Sequence, residues 1–125
     1  MKAAPKTAKT PLACAKRELK EETGLSAATW RAVLTLDLST SLTDEQAIIF
    51  IATDLEAGKP HPDDTEVLAH RHVHFVDVLT AVLDGSVREA MTVSAVLCAQ
   101  HLATTGALPA GVAHAMLHRP SRAKA

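Results

Sequence analysis

The sequence predicts an α/β layered domain. Three observations carry this. A well-punctuated helical segment opens the chain. Apolar residues then alternate over about 29–38 and run almost unbroken over 46–53, and two helical segments follow. The chain has 125 residues, 47% of them hydrophobic and 22% charged, which is one domain's worth and excludes wholesale disorder. Aromatic content is only 2%: Trp30, Phe50 and Phe75, with no tyrosine. The core must therefore come from Ala, Val, Leu and Ile, and few rings are available to stack on a base.

The elements follow in order. Thr10 suits an N-cap and Pro11 the first helical position. Leu12, Ala15 and Leu19 form an apolar stripe, and Gly24 supplies the stop, so a helix is expected from Pro11 to Thr23. In 29–38, Trp30, Ala32, Leu34, Leu36 and Leu38 alternate with Thr29, Arg31, Val33, Thr35 and Asp37, as in a half-buried strand. Residues 46–53, QAIIFIAT, suit a strand covered on both faces. A third strand is expected over 66–76, with Val67, Ala69, Val73 and Phe75 on one face and His70, His72 and His74 on the other. A short helix is expected near Asp77 to Leu83, ended by Asp84-Gly85. Ser86 and Glu89 read as a capping box opening a helix through about Ala103, with Val87, Met91, Ala95, Leu97 and Leu102 along it. Residues 106–125, rich in Ala, Pro and Gly, read as a flexible tail behind a domain over 1–105.

Charge and cysteine set weaker bounds. The net charge of −1 offers no global basic field, so no nucleic-acid partner is expected. The apolar runs are too short for a membrane span. Cys14 and Cys98 suggest core thiols on helices and no disulfide framework. The basic start MKAAPKTAKT lacks the apolar stretch of a secretory signal, which leaves a reducing, cytoplasmic location as the expectation.

The informative stretch is Arg17-Glu18-Leu19-Lys20-Glu21-Glu22-Thr23-Gly24-Leu25. Glu18, Glu21 and Glu22 stand at i, i+3 and i+4, so they share one helix face. Like charges at that spacing cost about 0.2–0.5 kcal/mol per pair. Anions in the last turn also oppose the helix dipole, by roughly 0.3–1 kcal/mol. A local rule broken twice marks a candidate functional site. A hard divalent cation such as Mg²⁺ would turn the repulsion into ligation. Arg17 can pair with Glu21 one turn later. From spacing alone, a solvated acidic face partly balanced by Lys16 and Lys20 stays open as the alternative.

This stretch resembles the second half of the Nudix box, Arg-Glu-aliphatic-x-Glu-Glu-x-Gly-aliphatic, at every position: Arg17, Glu18, Leu19, Glu21, Glu22, Gly24 and Leu25. The first half departs from the pattern. Lys9 stands where the family has a glutamate, and Ala3 where it has a glycine. The strands that normally precede the box are also not found ahead of it. The resemblance implies a Nudix-like α/β/α sandwich with a mixed sheet, incomplete at the N-terminus. Residues 38–55 and 77–93, together with Asp63-Asp64-Thr65-Glu66, look most like members of the ADP-ribose pyrophosphatase type.

The implied activity is Mg²⁺-dependent hydrolysis, with Mn²⁺ as a substitute, of a nucleoside diphosphate linked to another moiety. An ADP-ribose-like small molecule is the expected substrate. Metal ligands would be Glu18, Glu21 and Glu22. Glu21, Glu66 and Arg17 would be the catalytic set, with Glu66 as loop base and Arg17 orienting the glutamates. Lys9 near this cluster would weaken Mg²⁺ binding. The competing reading is a non-catalytic Nudix-like fragment or binding module. No membrane partner is expected, and an exposed sheet edge makes a homodimer a further expectation. His70, His72 and His74 would lie roughly 6.6 Å apart on a strand, but nothing obvious completes a zinc site there.

Overall fold

The computed structural model describes residues 10–58 and 72–119. Its elements are α1 (Pro11–Thr23), β1 (Leu25–Asp37), β2 (Gln46–Ala57), α2 (Phe75–Leu83), α3 (Ala90–Thr104) and α4 (Ala110–Leu117). The two strands pair as an antiparallel sheet. The chain divides into two compact units. Among the described residues, one takes residues 10–31 and 52–58, and the other takes 32–51 and 72–119. The mixture of helices and sheet agrees with the α/β class that the sequence predicts.

In the first unit, α1 begins and ends where the sequence places it. The Thr10 side chain accepts the Ala13 N–H at 3.1 Å, and Pro11 occupies the first turn. Leu12, Ala15 and Leu19 are half-buried. β1 starts earlier than alternation suggests, at Leu25. Gly24 reverses the chain directly into it, and the Leu25 N–H is taken by the Thr23 hydroxyl at 3.1 Å. β2 likewise runs on to Ala57, where the Gly58 N–H donates to the Gly24 carbonyl at 2.8 Å. Asp54 adopts φ 59 within β2, a conformation Asp tolerates better than most residues, and its carboxylate accepts the Thr29 hydroxyl at 2.6 Å.

The far end of the hairpin belongs to the second unit. The Leu38 N–H donates to the Glu45 carbonyl at 3.1 Å, and the Gln46 amide donates to Asp37 at 2.9 Å. Residues 49–53 of β2 are all half-buried, so both faces are partly covered, as the unbroken apolar run suggests. In β1 the alternation survives at Trp30, Leu34 and Leu36, but Ala32 is exposed and Val33 is half-buried.

Three local expectations change here. Residues 72–76 are not strand: His72 to His74 are irregular and Phe75 starts α2. His74 is the N-cap, its Nδ1 accepting the Val76 N–H at 3.1 Å, while its Nε2 meets the His118 carbonyl at 3.1 Å. The histidine face therefore does not exist at His72 and His74, and His70 lies outside the described residues. Contact of α2 with α3 and α4 overrides the β-propensity of Val73, Phe75 and Val76. Second, Ser86 does not cap α3. Its N–H and hydroxyl are both taken by the Asp84 carboxylate two residues earlier. Glu89 caps instead, accepting from the Met91 N–H at 3.1 Å and from the Thr92 N–H and hydroxyl, both at 2.8 Å. Those bonds, the Thr92 hydroxyl first, hold the Glu89 carboxyl below its ordinary range. The covered face of α3 runs through Val96 and Ala103, whereas Met91 and Leu97 are exposed.

Third, the stretch read as a flexible tail is helical over Ala110–Leu117 and packs on α2 and α3. Gly106, at φ 77, turns the chain out of α3, and the Ala107 N–H caps the Leu102 carbonyl at 3.0 Å. Leu108 is buried just beyond that turn. Arg119 pairs with Asp77 of α2 and holds its carboxyl below the usual carboxylate range. Arg122 and Lys124 lie outside the described residues. Val96, Ala103 and Leu108 are the buried hydrophobics among the described residues. No helix among them is long and apolar enough to cross a membrane.

Candidate active site on helix α1

Arg17, Glu18, Glu21 and Glu22 all lie on α1 and all are exposed. Leu12, Ala15 and Leu19 are half-buried; Arg17 and Glu21 lie on the far side of the helix from them, while Glu18 and Glu22 flank the stripe. Arg17 Nε stands 3.8 Å from Glu21 Oε1, the one-turn pair that spacing predicts. With both side chains about half exposed, this pair orients Glu21 more than it stabilises the fold.

The end of the helix is built to bring the chain back close to it. Gly24 sits at φ 74 with its N–H on the Lys20 carbonyl at 2.9 Å. A Cβ on Gly58 would stand 3.0 Å from the Gly24 carbonyl oxygen, so the two backbones meet here without side chains between them. Gly24→Ala should lower stability by about 1 kcal/mol, since an L-residue pays that much in this conformation. A urea unfolding midpoint unchanged from the parent would contradict it.

Carboxylates are the right donors for a hard cation, so in chemistry and helical position this face fits Mg²⁺. The structure does not assemble them in advance. Among the described residues, no three His, Cys, Asp or Glu side chains come together as metal ligands. Glu66, Lys9 and Ala3 lie outside the described residues. Cys14 and Cys98 are both free and half-buried.

Sequence reading treats Lys16 and Lys20 only as charge balance. The structure places both beside Trp30, Ser26 and Ala27 around a recess. The signal available in the sequence was the i, i+4 lysine pair with the chain's one tryptophan just past Gly24.

With this geometry in place, comparison with known proteins becomes decisive. The NUDIX domain family profile matches residues 5–93, well over half of the chain. The chain belongs to the Nudix family. The matched span takes in the whole of α1, and with it every box residue from Arg17 to Leu25. This Nudix chain is also 34% identical, over 98 residues, to a protein named ADP-ribose pyrophosphatase from Mycobacterium tuberculosis. That alignment covers 77% of the present chain and 47% of the relative, so the chain spans about half the length of the relative it matches. Family membership agrees with the resemblance carried by the box, and the relative's likeness agrees with that of residues 38–55, 63–66 and 77–93.

Proposed function

We propose that this Nudix chain is a Mg²⁺-dependent pyrophosphohydrolase, with Mn²⁺ as a substitute, cleaving a nucleoside diphosphate linked to another moiety, and that its substrate is ADP-ribose-like. The observation that carries the reading is the outward carboxylate face of α1, with Glu21 oriented by Arg17, in a chain of this family. The likeness to the mycobacterial ADP-ribose pyrophosphatase supports the substrate class. Glu18, Glu21 and Glu22 would hold the metal, which when bound supplies positive charge against the diphosphate oxygens.

The remaining chemistry falls to the chain. Water adds across the diphosphate: its oxygen bonds to one phosphorus, the bridging P–O bond breaks, and the departing phosphate keeps the electron pair. Glu66, the base that the family resemblance implies, would accept the water's proton. Arg17 positions Glu21 and touches no reacting atom. A reducing, cytoplasmic setting belongs to the same reading. The partner is a small nucleotide, with neither nucleic acid nor membrane required, and a homodimer would cover exposed sheet edge.

Lys9 stands at a glutamate position of the family pattern, and its positive charge weakens Mg²⁺ binding. Lys9→Glu should raise Mg²⁺ affinity about tenfold or more by calorimetry. Micromolar affinity in the unmodified chain would overturn this expectation.

A second reading, a non-catalytic binding module, is favoured by one observation: the box carboxylates do not converge among the described residues. Mg²⁺-dependent release of AMP from ADP-ribose, compared with Glu21→Gln, separates the two.

A further inference from the structure

We propose that the reverse face of α1 binds a planar aromatic anion, seated between Lys16, Lys20 and Trp30, at a site distinct from the carboxylate face. A recess of about 170 Å³ is lined there by Lys16, Lys20, Ser26, Ala27 and Trp30. The two lysines are one helical turn apart, so their ammonium groups repel each other. Among the described residues neither is paired with a carboxylate. An anionic group between them removes the repulsion and gains two charge-assisted contacts.

The indole is fixed in place. Trp30 Nε1–H donates to the Ala27 carbonyl at 3.0 Å, and the side chain is half-buried. The ring therefore offers a preset apolar wall to the recess, with Ala27 beside it. Lysine stems extend that apolar wall while their charged ends stay in water. Together these features select a ligand with a ring at one end and an anion at the other, such as a nucleoside monophosphate. At 3.6 residues per turn, Lys16 and Lys20 lie about half a turn round the helix from Glu18 and Glu22. The site therefore needs neither the metal ligands nor the hydrolase reading.

Trp30 is the chain's one tryptophan, so its emission reports directly on this recess. The full chain is titrated with AMP in buffer containing EDTA. A saturable change in Trp30 fluorescence is expected. In the double variant Lys16→Gln, Lys20→Gln the affinity should fall about tenfold or more. Glu21→Gln should bind as the parent does, and inorganic phosphate alone or adenosine alone should bind more weakly than AMP. The proposal is overturned by no saturable change with AMP, by equal affinity in the lysine double variant, or by loss of binding in Glu21→Gln. Phosphate matching AMP would equally overturn it, because the ring would then contribute nothing. Failure of the hydrolase reading leaves all these readouts intact, since no metal or turnover enters them.

Discussion

Glu21→Gln should abolish Mg²⁺-dependent release of AMP from ADP-ribose, lowering the rate by about 10²–10⁴-fold. The substitution keeps the shape of the side chain and removes its negative charge. That charge is the one Arg17 orients, at 3.8 Å along α1. Folding should hardly change, because an ion pair this exposed contributes at most about 1 kcal/mol. Thermal unfolding of parent and variant should therefore coincide while the activities diverge. Equal AMP release from both proteins would refute the hydrolase reading and leave the binding module. Glu18→Gln and Glu22→Gln are natural companions, since repulsion among the three carboxylates has no structural benefit that accounts for their spacing.

Leu108→Ala should cost about 2–4 kcal/mol of stability, the usual loss for a buried leucine whose cavity cannot collapse. Leu108 is only 7% exposed, one of the buried hydrophobic side chains that α3 and the segment after it provide. It follows the Gly106 turn and precedes α4, so it ties the last helix to the others. Denaturant unfolding would read the loss as a shifted midpoint with little change in slope. A shift within error of the parent would mean that the residues from Gly106 onward add nothing to the core, as their Ala, Pro and Gly content alone suggests.

Much of the candidate site was legible because its determinants are local. A threonine cap, a proline in the first turn and a glycine in the left-handed region bound α1 with no help from the rest of the molecule. Helical spacing likewise settles which carboxylates share a face and that Arg17 reaches Glu21. The family profile then adds what no spacing rule contains. The recess beside Trp30 was signalled only by its lysine pair and the lone tryptophan, because its other walls, Ser26 and Ala27, come from the start of β1.

Elsewhere, local signals competed and packing chose between them. Ser86 and Glu89 fit a capping box in sequence, yet the Asp84 carboxylate takes the Ser86 N–H that Glu89 would accept, and Glu89 caps α3 itself. Val73, Phe75 and Val76 favour a strand in isolation, yet His74 caps a helix there and that helix lies against α3 and α4. Residues 110–117 carry too weak a pattern to announce a helix, and a short helix is marginal alone. It forms because α2 and α3 offer it a surface and Arg119 meets Asp77. The sequence by itself thus determined the box helix, its punctuation and its outward carboxylates, all set by interactions within one or two turns. Only the tertiary structure decided the ends of the strands, the cap of α3 and the existence of α4, since each depends on partners distant in the chain or on competition between nearby acceptors.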